Sequence, residues 1–420
     1  MKKFKYLIIG GGTTAGYAAE EFVEQGIGKG ELCIISSEKI LPMNRPPFSK
    51  QYLKDPGEDD EILINEGDFY DSNGIEVMLE TVVHSVDFGR KQVEPDGGEV
   101  VAYDKLLITT GSRIRTLDVK GGDLGNIFYL RRKEHSDRIR EQAKKSRKAV
   151  VVGGGYIGSE TAAILSEMGL EVTMIIPEER LLSKFTDEKL GAFFERIYND
   201  HGIELMFGEK VTAFHGNDNV DEVELGSGKK VKTDMVVAGI GVEPDLDLFD
   251  KGMLNTRKGI VVNEYCETGV EDVYAAGDVA EFPDPTFDKK RHVEHWENAF
   301  EMGKHAARVM TGKREPYIFV PFFFSDIFEL SYEYFGDQTT ANHAVTRGNT
   351  DEADFSHWWF RDNRPVAAFV MSSRPEEEGE HARKWIKNKM NINRNKIGDE
   401  KEKLGSLEMQ PDEYSDEPQP

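Results

Sequence analysis

Lys148-Ala149-Val150-Val151-Val152-Gly153-Gly154-Gly155-Tyr156-Ile157-Gly158-Ser159-Glu160 is the stretch whose reading decides the fold. A short apolar run leads into a glycine turn, and helix-forming residues follow. Gly153, Gly155 and Gly158 fall at the G-x-G-x-x-G positions. There the first glycine permits the tight turn, the second lets backbone approach a pyrophosphate, and the third lets helix pack close on strand. A second copy stands near the start, Tyr6-Leu7-Ile8-Ile9-Gly10-Gly11-Gly12-Thr13-Thr14-Ala15-Gly16, with Gly10, Gly12 and Ala15 at the three small positions. Each turn opens a helix whose free N–H groups and positive dipole end suit a phosphate. Two such turns predict two dinucleotides, held so that one can pass electrons to the other.

Around the first turn, residues 4–9 read as a strand, 14–24 as a helix and 32–36 as a second strand. Glu38 then stands where an acid binds a ribose hydroxyl pair. The loop Leu41-Pro42-Met43-Asn44-Arg45-Pro46-Pro47-Phe48-Ser49-Lys50 is stiffened by its prolines and carries two cations. It reads either as a diphosphate-neutralising loop or as an ordinary surface turn. Residues 55–75 read as an exposed acidic connection. Residues 105–110 form a buried strand that ends at Thr110-Gly111, with Arg115 soon after, where a doubly wound fold places a ligand. Asp272-Val273-Tyr274-Ala275-Ala276-Gly277-Asp278 is another strand, ending in a carboxylate suited to a polyol or to a turn cap.

Around the second turn, residues 121–126 read as a linker and 135–145 as a charged, exposed helix. Residues 171–176 form the second strand, and Glu178 and Glu179 follow it. An acid there favours NAD by binding the ribose 2′-OH, while the neighbouring Arg180 could accommodate a 2′-phosphate. Residues 203–240 read as strands and hairpins, closing on a buried strand that exits at Gly241. The second fingerprint thus sits in an inserted unit of domain size.

The chain has 420 residues, 38% hydrophobic and 10% aromatic, enough for two or three cored domains. No run is long and apolar enough to span a bilayer. The start, Met1-Lys2-Lys3-Phe4-Lys5, reads as the lead into a strand and not as a signal peptide. A net charge of −24 argues against nucleic acid and anionic membranes, which need basic surface. Cys33 and Cys266 are far apart, with no CxxC or metal-type cluster, and read as two thiols in a reducing cytoplasm.

Together with the glycine turns, Arg45-Pro46-Pro47-Phe48-Ser49-Lys50, Ala276-Gly277-Asp278, Val293-Glu294-His295-Trp296 and Phe323-Phe324-Ser325-Asp326 carry a family resemblance. The chain resembles the two-dinucleotide flavoprotein reductases from about residue 3 to 389, and within them the apoptosis-inducing-factor and oxygenase-type ferredoxin reductase branch. R-P-P-x-S-K beside a late F-x-S-D marks that branch more specifically than either glycine turn. The resemblance implies an α/β chain with two Rossmann-like three-layer domains and a C-terminal α+β domain. FAD would occupy residues 1–115 and 245–315, and NAD(P)H residues 116–244. Residues 316–395 would form the third domain and 396–420 a disordered acidic tail.

It further implies that Gly10, Gly12 and Ala15 hold the FAD pyrophosphate, Glu38 its ribose and Arg45 its diphosphate. Val83 matches an adenine-packing position, and Thr110, Gly111 and Arg115 a further FAD contact. Gly277 and Asp278 match the ribitol site, and Glu294, His295, Trp296 and Phe324 the surroundings of the flavin. Gly153, Gly155, Tyr156, Ile157, Gly158 and Gly241 would border the nicotinamide, with Tyr156 as its doorway, and Glu178 and Glu179 the NAD ribose. Lys50 resembles the lysine near the flavin N5 and Glu160 its carboxylate partner, which together are the implied catalytic pair. Phe324 departs from a frequent tryptophan. The insertion found in mammalian apoptosis-inducing factor is missing.

The resemblance implies an FAD-dependent NAD(P)H oxidoreductase using NADH in preference to NADPH. Neither cysteine stands where disulfide reductases or peroxidases of this fold keep theirs, so a non-disulfide acceptor is expected. The implied partners are NADH, an electron-carrier protein or quinone, and a second copy of the chain. A ferredoxin or rubredoxin reductase component and an NADH-sensing, dimerising charge-transfer protein are the alternatives.

Overall fold

Residues 1–57, 62–249 and 252–409 are described by the computed structural model, and they fall into two units. The first comprises Met1–Pro47, the described part of Pro56–Ile114, and the described part of Val242–Phe319. The second comprises Phe48–Asp55, Arg115–Gly241 and the chain from Val320 onward. The segment 48–55, expected with the first fingerprint, therefore groups with the second, as does the C-terminal sheet.

In the first unit the apolar run Lys2–Ile9 forms the centre of a seven-stranded sheet. It pairs in parallel with Leu32–Ile35 on one side and Val101–Ile108 on the other. The last of these begins four residues before the strand read over 105–110. Val273–Ala275 runs parallel to it, with Ala275 opposite Ile108. Leu7, Ile8, Leu106, Leu107 and Ile108 are fully buried, as expected for parallel strands covered on both faces. Truncating any of them to alanine removes about 2–5 kcal/mol. The helix Thr13–Glu24 packs along Trp296–Met310, and Gly303 permits this because a Cβ there would meet the Thr14 carbonyl.

Part of the expected acidic connection is structured. Gly67–Asn73 is a helix with Tyr70 buried, and Ile62 is buried too. The apolar residues between the acids supply that packing. Glu58, Asp59, Asp60 and Glu61 lie outside the described residues.

In the second unit a five-stranded parallel sheet runs Glu204–Phe207, Glu171–Ile176, Lys148–Val152, Met235–Ala238, Ile127–Tyr129. The glycine-turn helix is Tyr156–Glu167, and Glu188–Asp200 follows the second strand. A further sheet is antiparallel, in the order Phe322–Ile327, Leu330–Gly336, Arg364–Met371, Asp354–Arg361, His343–Asn349. The helix Pro375–Lys387 covers one of its faces, and Trp385 meets Trp358 with ring centroids 5.3 Å apart.

The expected tail, 396–420, needs correction. Residues 396–409 are packed: Ile397, Leu404 and Leu407 are buried, and Leu404–Leu407 forms a short 3-10 turn. Arg347 donates to the carbonyls of Ile397, Asp399, Glu400 and Glu402. A composition-based reading misses this because three apolar residues and one distant arginine suffice to order the segment. Residues 410–420 lie outside the described residues. Among the described residues no helix is long and apolar enough to cross a membrane.

Candidate functional site

In the first unit, the carboxyl ends of four parallel strands bring together Gly10, Glu38, Thr109-Thr110-Gly111 and Gly277-Asp278. This is where open α/β sheets hold ligands. Gly10 has φ +110°, and a Cβ on it would fall on the Thr109 carbonyl. Gly12 caps the helix Thr13–Glu24 without a side-chain hydrogen bond, and no acid occupies the first turn. A Cβ at Gly12 would stand 3.4 Å from Nη2 of Arg45, so a guanidinium lies over the bare helix start. Free N–H groups, a positive helix end and a fixed cation fit the diphosphate of FAD.

Arg45 Nη2 also lies 2.5 Å from Glu38 Oε1. The two residues expected on diphosphate and ribose thus sit side by side. Asp278 is buried and accepts from Ser112 Oγ at 3.1 Å. Thr110 Oγ1 donates to the Asp245 carbonyl at 2.8 Å. Val83, half-buried, packs against the unit's core. His295 is the N-cap of Trp296–Met310, and the exposed Glu294 precedes it. Trp296 Nε1 donates to Asn44 Oδ1 at 2.7 Å, and the Tyr17 hydroxyl donates to the same oxygen at 3.3 Å. Asn44 was not singled out by the sequence reading; its place beside Arg45 was the available signal.

In the second unit, Gly153 has φ +107° and its Cβ would collide with the Gly239 carbonyl. Gly158 approaches the Gly153 carbonyl equally closely. Gly155 opens the helix uncapped, with nothing within 4 Å of where its Cβ would be and no acid in the first turn. That arrangement fits the pyrophosphate of NAD(H). Glu178 and Glu179 are exposed after the strand Glu171–Ile176. The Arg180 stem lies against Gly191, and its Nη1 points to the Thr186 carbonyl at 3.4 Å. Gly241 accepts from the Arg115 N–H at 3.1 Å, and the Arg115 side chain is exposed. Tyr156 is half-buried, stacked on Phe185 at 5.5 Å and edge-on to Phe323 at 4.3 Å. Ile157 beside it is 38% exposed.

Lys50 and Glu160 come together in this unit, Nζ to Oε1 at 3.6 Å. Glu160 is buried and accepts from Ser49 Oγ and Ser325 Oγ, each at 2.5 Å. Burial, the largest influence, pushes the Glu160 carboxyl above its ordinary range, while Lys50 and the two hydroxyls pull against it. Lys50 Nζ also lies 3.3 Å from Asp326 Oδ2 and 4.7 Å over the Phe324 ring. Ser331 donates to the other oxygen of Asp326 at 2.7 Å. The serines explain why the R-P-P-x-S-K and F-x-S-D motifs occur together, since one hydroxyl from each holds the same carboxylate. Ser49, Ser325 and Asp326 lay inside quoted motifs without a role assigned to them. Cys33 and Cys266 are both buried, and burial pushes the Cys33 thiol up to about 12 and Cys266 higher still.

Two bare glycine-turn helix starts, one under a guanidinium and one beside a Lys–Glu–Ser cluster, define a two-dinucleotide flavoprotein reductase that uses FAD and NAD(H). The chain belongs to the pyridine nucleotide-disulphide oxidoreductase family, whose profile matches residues 4–303, and a reductase C-terminal profile matches 322–408. It is 37% identical to monodehydroascorbate reductase of Solanum lycopersicum over 90% of its length and 92% of the relative's. The Pisum sativum enzyme of that name is also 37% identical, over 89% and 92%. Among solved structures it is similar to putidaredoxin reductase in its covalent complex with putidaredoxin, at TM-score 0.91 and 28% identity over 97% and 98% of the two chains. A ferredoxin reductase of Rhodopseudomonas palustris superposes with TM-score 0.92 at 27% identity, over 96% and 99%. The chain is accordingly an FAD-dependent NAD(P)H oxidoreductase.

Proposed function

We propose that this enzyme oxidises NADH and delivers the electrons singly to a small organic radical of the monodehydroascorbate type. The observation that carries the reading is the burial of both thiols, which removes a dithiol relay. The choice of acceptor follows the relatives named for it, which match along nearly the whole chain.

FAD, when bound, would supply hydride-accepting and one-electron-donating chemistry. The backbone of Gly10, Gly12 and Ala15 would receive its pyrophosphate with Arg45, while Glu38 and Asp278 would bind hydroxyls. Glu178 and Glu179 bind the NAD ribose, and Gly155 lets the dinucleotide lie against backbone. Lys50 supplies positive charge to the reacting ring, and Glu160 keeps that ammonium ionised and oriented. Ser49 and Ser325 hold Glu160 in place. Two radicals are reduced for each NADH consumed.

The test is NADH consumption while ascorbate oxidase generates the radical. Rapid turnover that stops when radical supply stops supports the proposal. Turnover no faster than with oxygen alone removes it. A second reading has its own support. Lys50 is bracketed by Glu160 and Asp326, so its charge is compensated and exerts little pull on a small anion. With the fold shared with putidaredoxin reductase, this favours a carrier protein as acceptor. Cytochrome c reduction that appears only on adding a ferredoxin or rubredoxin would select this reading.

A further inference from the structure

Lys50 rides on a segment of short helical turns and directly follows the 3-10 turn Pro46–Ser49. It precedes the four-residue helix Gln51–Lys54, and its own backbone is neither helical nor extended. The segment is held from outside, by the helix Lys133–Ala143. Ser136, fully buried, donates Oγ to the Phe48 carbonyl at 2.9 Å. Arg140, also buried, donates Nη1 to the Tyr52 carbonyl at 3.1 Å. Ser136 and Arg140 are one helical turn apart and share a face. Phe48 and Tyr52 have the same spacing, with Lys50 midway between them. The helix therefore grips the backbone two residues before and two residues after the lysine.

Asp137 ties the grip together. It accepts from the Tyr52 hydroxyl at 2.9 Å, from Arg140 Nη2 at 2.6 Å and from Lys133 at 3.2 Å. The Tyr52 ring is flanked by the Arg140 and Lys133 cations at 5.4 and 5.7 Å. Lys54 then reaches Glu167, at the far end of the helix that carries Glu160, at 2.8 Å. Buried hydrogen bonds from a charged donor to backbone fix position more firmly than exposed ones do.

We infer that Ser136 and Arg140 are positioning residues for Lys50, acting through the backbone of residues 48–52 with Asp137 as their common anchor. This rests on the reading that Lys50 takes part in NADH-driven reduction. Displacement of a reacting group by about 1 Å can cost 10²-fold, so a loosened grip is expected to slow flavin reduction about tenfold.

The experiment uses the FAD-loaded full chain as wild type, Lys50→Met, Arg140→Met, Arg140→Lys and the Lys50→Met/Arg140→Met double variant. Hydrogen exchange of a peptide covering residues 48–55 is measured without NADH, and flavin bleaching by NADH in stopped flow. In Arg140→Met, exchange at 48–55 is expected to quicken with FAD content unchanged, and bleaching to slow about tenfold. Arg140→Lys recovers part of both. The double variant is no slower than Lys50→Met alone, because both changes act on one group. Normal bleaching in Lys50→Met overturns the role of Lys50 itself. Slow bleaching in Lys50→Met with a normal Arg140→Met, or multiplied losses in the double variant, overturns the positioning inference. Should Arg140→Met lose FAD or fail to fold, Ser136→Ala replaces it alone and with Lys50→Met, with the same directions expected and the same overturning results.

Discussion

Ser325 donates a hydrogen bond of 2.5 Å to Glu160, which lies 165 residues earlier in the chain. The carboxylate comes from the first turns of the glycine-turn helix, and the hydroxyl from the first strand of the C-terminal sheet. Ser49 donates to the other oxygen. Burial favours the neutral form of this carboxyl, and the two hydroxyls with Lys50 pull against that shift.

Replacing Lys50 by Met keeps the length of the side chain and removes its charge. FAD content should hold, because the residues proposed to receive the diphosphate are Gly10, Gly12, Ala15 and Arg45. The rate of flavin bleaching by NADH should fall about 10²-fold, equivalent to ~2.7 kcal/mol of lost stabilisation. Stopped-flow absorbance measures it, and an unchanged rate would dismiss the lysine from the mechanism.

Glu160 carries a signature in the pH dependence of stability. Burial raises its folded pKa above the unfolded value, so the folded state holds the proton more tightly. Its contribution therefore declines as pH rises from the ordinary carboxylate range through the folded pKa. As pH rises through and above the ordinary carboxylate range, the wild type should lose melting temperature more steeply than Glu160→Gln. Parallel curves for the two proteins would contradict the raised pKa.

Nucleotide choice follows from the end of the strand Glu171–Ile176. Glu178 and Glu179 are exposed there, while Arg180 is drawn back along Gly191 toward Thr186. A 2′-phosphate would meet carboxylates and not the arginine. The kcat/KM for NADH should exceed that for NADPH by about 10²-fold, and Glu178→Gln with Glu179→Gln should narrow the gap to about tenfold. Equal use of both nucleotides by the unmodified enzyme would count against the assignment.

Arg347 is the anchor of the last described segment. Its guanidinium meets four backbone carbonyls between Ile397 and Glu402, and Nε lies 3.4 Å from the buried Glu378. Arg347→Met leaves that carboxylate with only Arg374, at 3.9 Å, and should cost about 3–5 kcal/mol in urea unfolding. Protease sites should open within residues 396–409. Adding Glu378→Gln should restore part of the stability, since it removes the poorly compensated buried charge. No loss of stability in Arg347→Met would show that the segment is held by its apolar residues alone.

Some parts of the molecule were legible because their causes are local. A glycine at φ +107° and another pressed against a carbonyl must be glycines whatever surrounds them, and so both turns and their helices could be read from residues 148–160 and 6–16. The strands Lys2–Ile9 and Glu171–Ile176 appear where their apolar runs predict. Lys50 and Glu160 were paired by resemblance, and the structure brings them together.

Other parts have causes distant along the chain. The helix Lys133–Ala143 reads as a charged surface helix, yet Ser136 and Arg140 are buried against the segment that carries Lys50. Residues 396–409 read as a polar tail, yet Arg347 orders them from about fifty positions away.

The sequence by itself determined the two glycine turns and the helices they open, since backbone conformation and close approach are properties of a few adjacent residues. Only the tertiary structure decided that Ser49, Glu160 and Ser325 share one buried carboxylate, and that Lys50 is gripped through its neighbours' carbonyls. Those contacts join chain segments that no periodicity connects, and they form only when burial makes each unsatisfied polar group costly enough to require a partner.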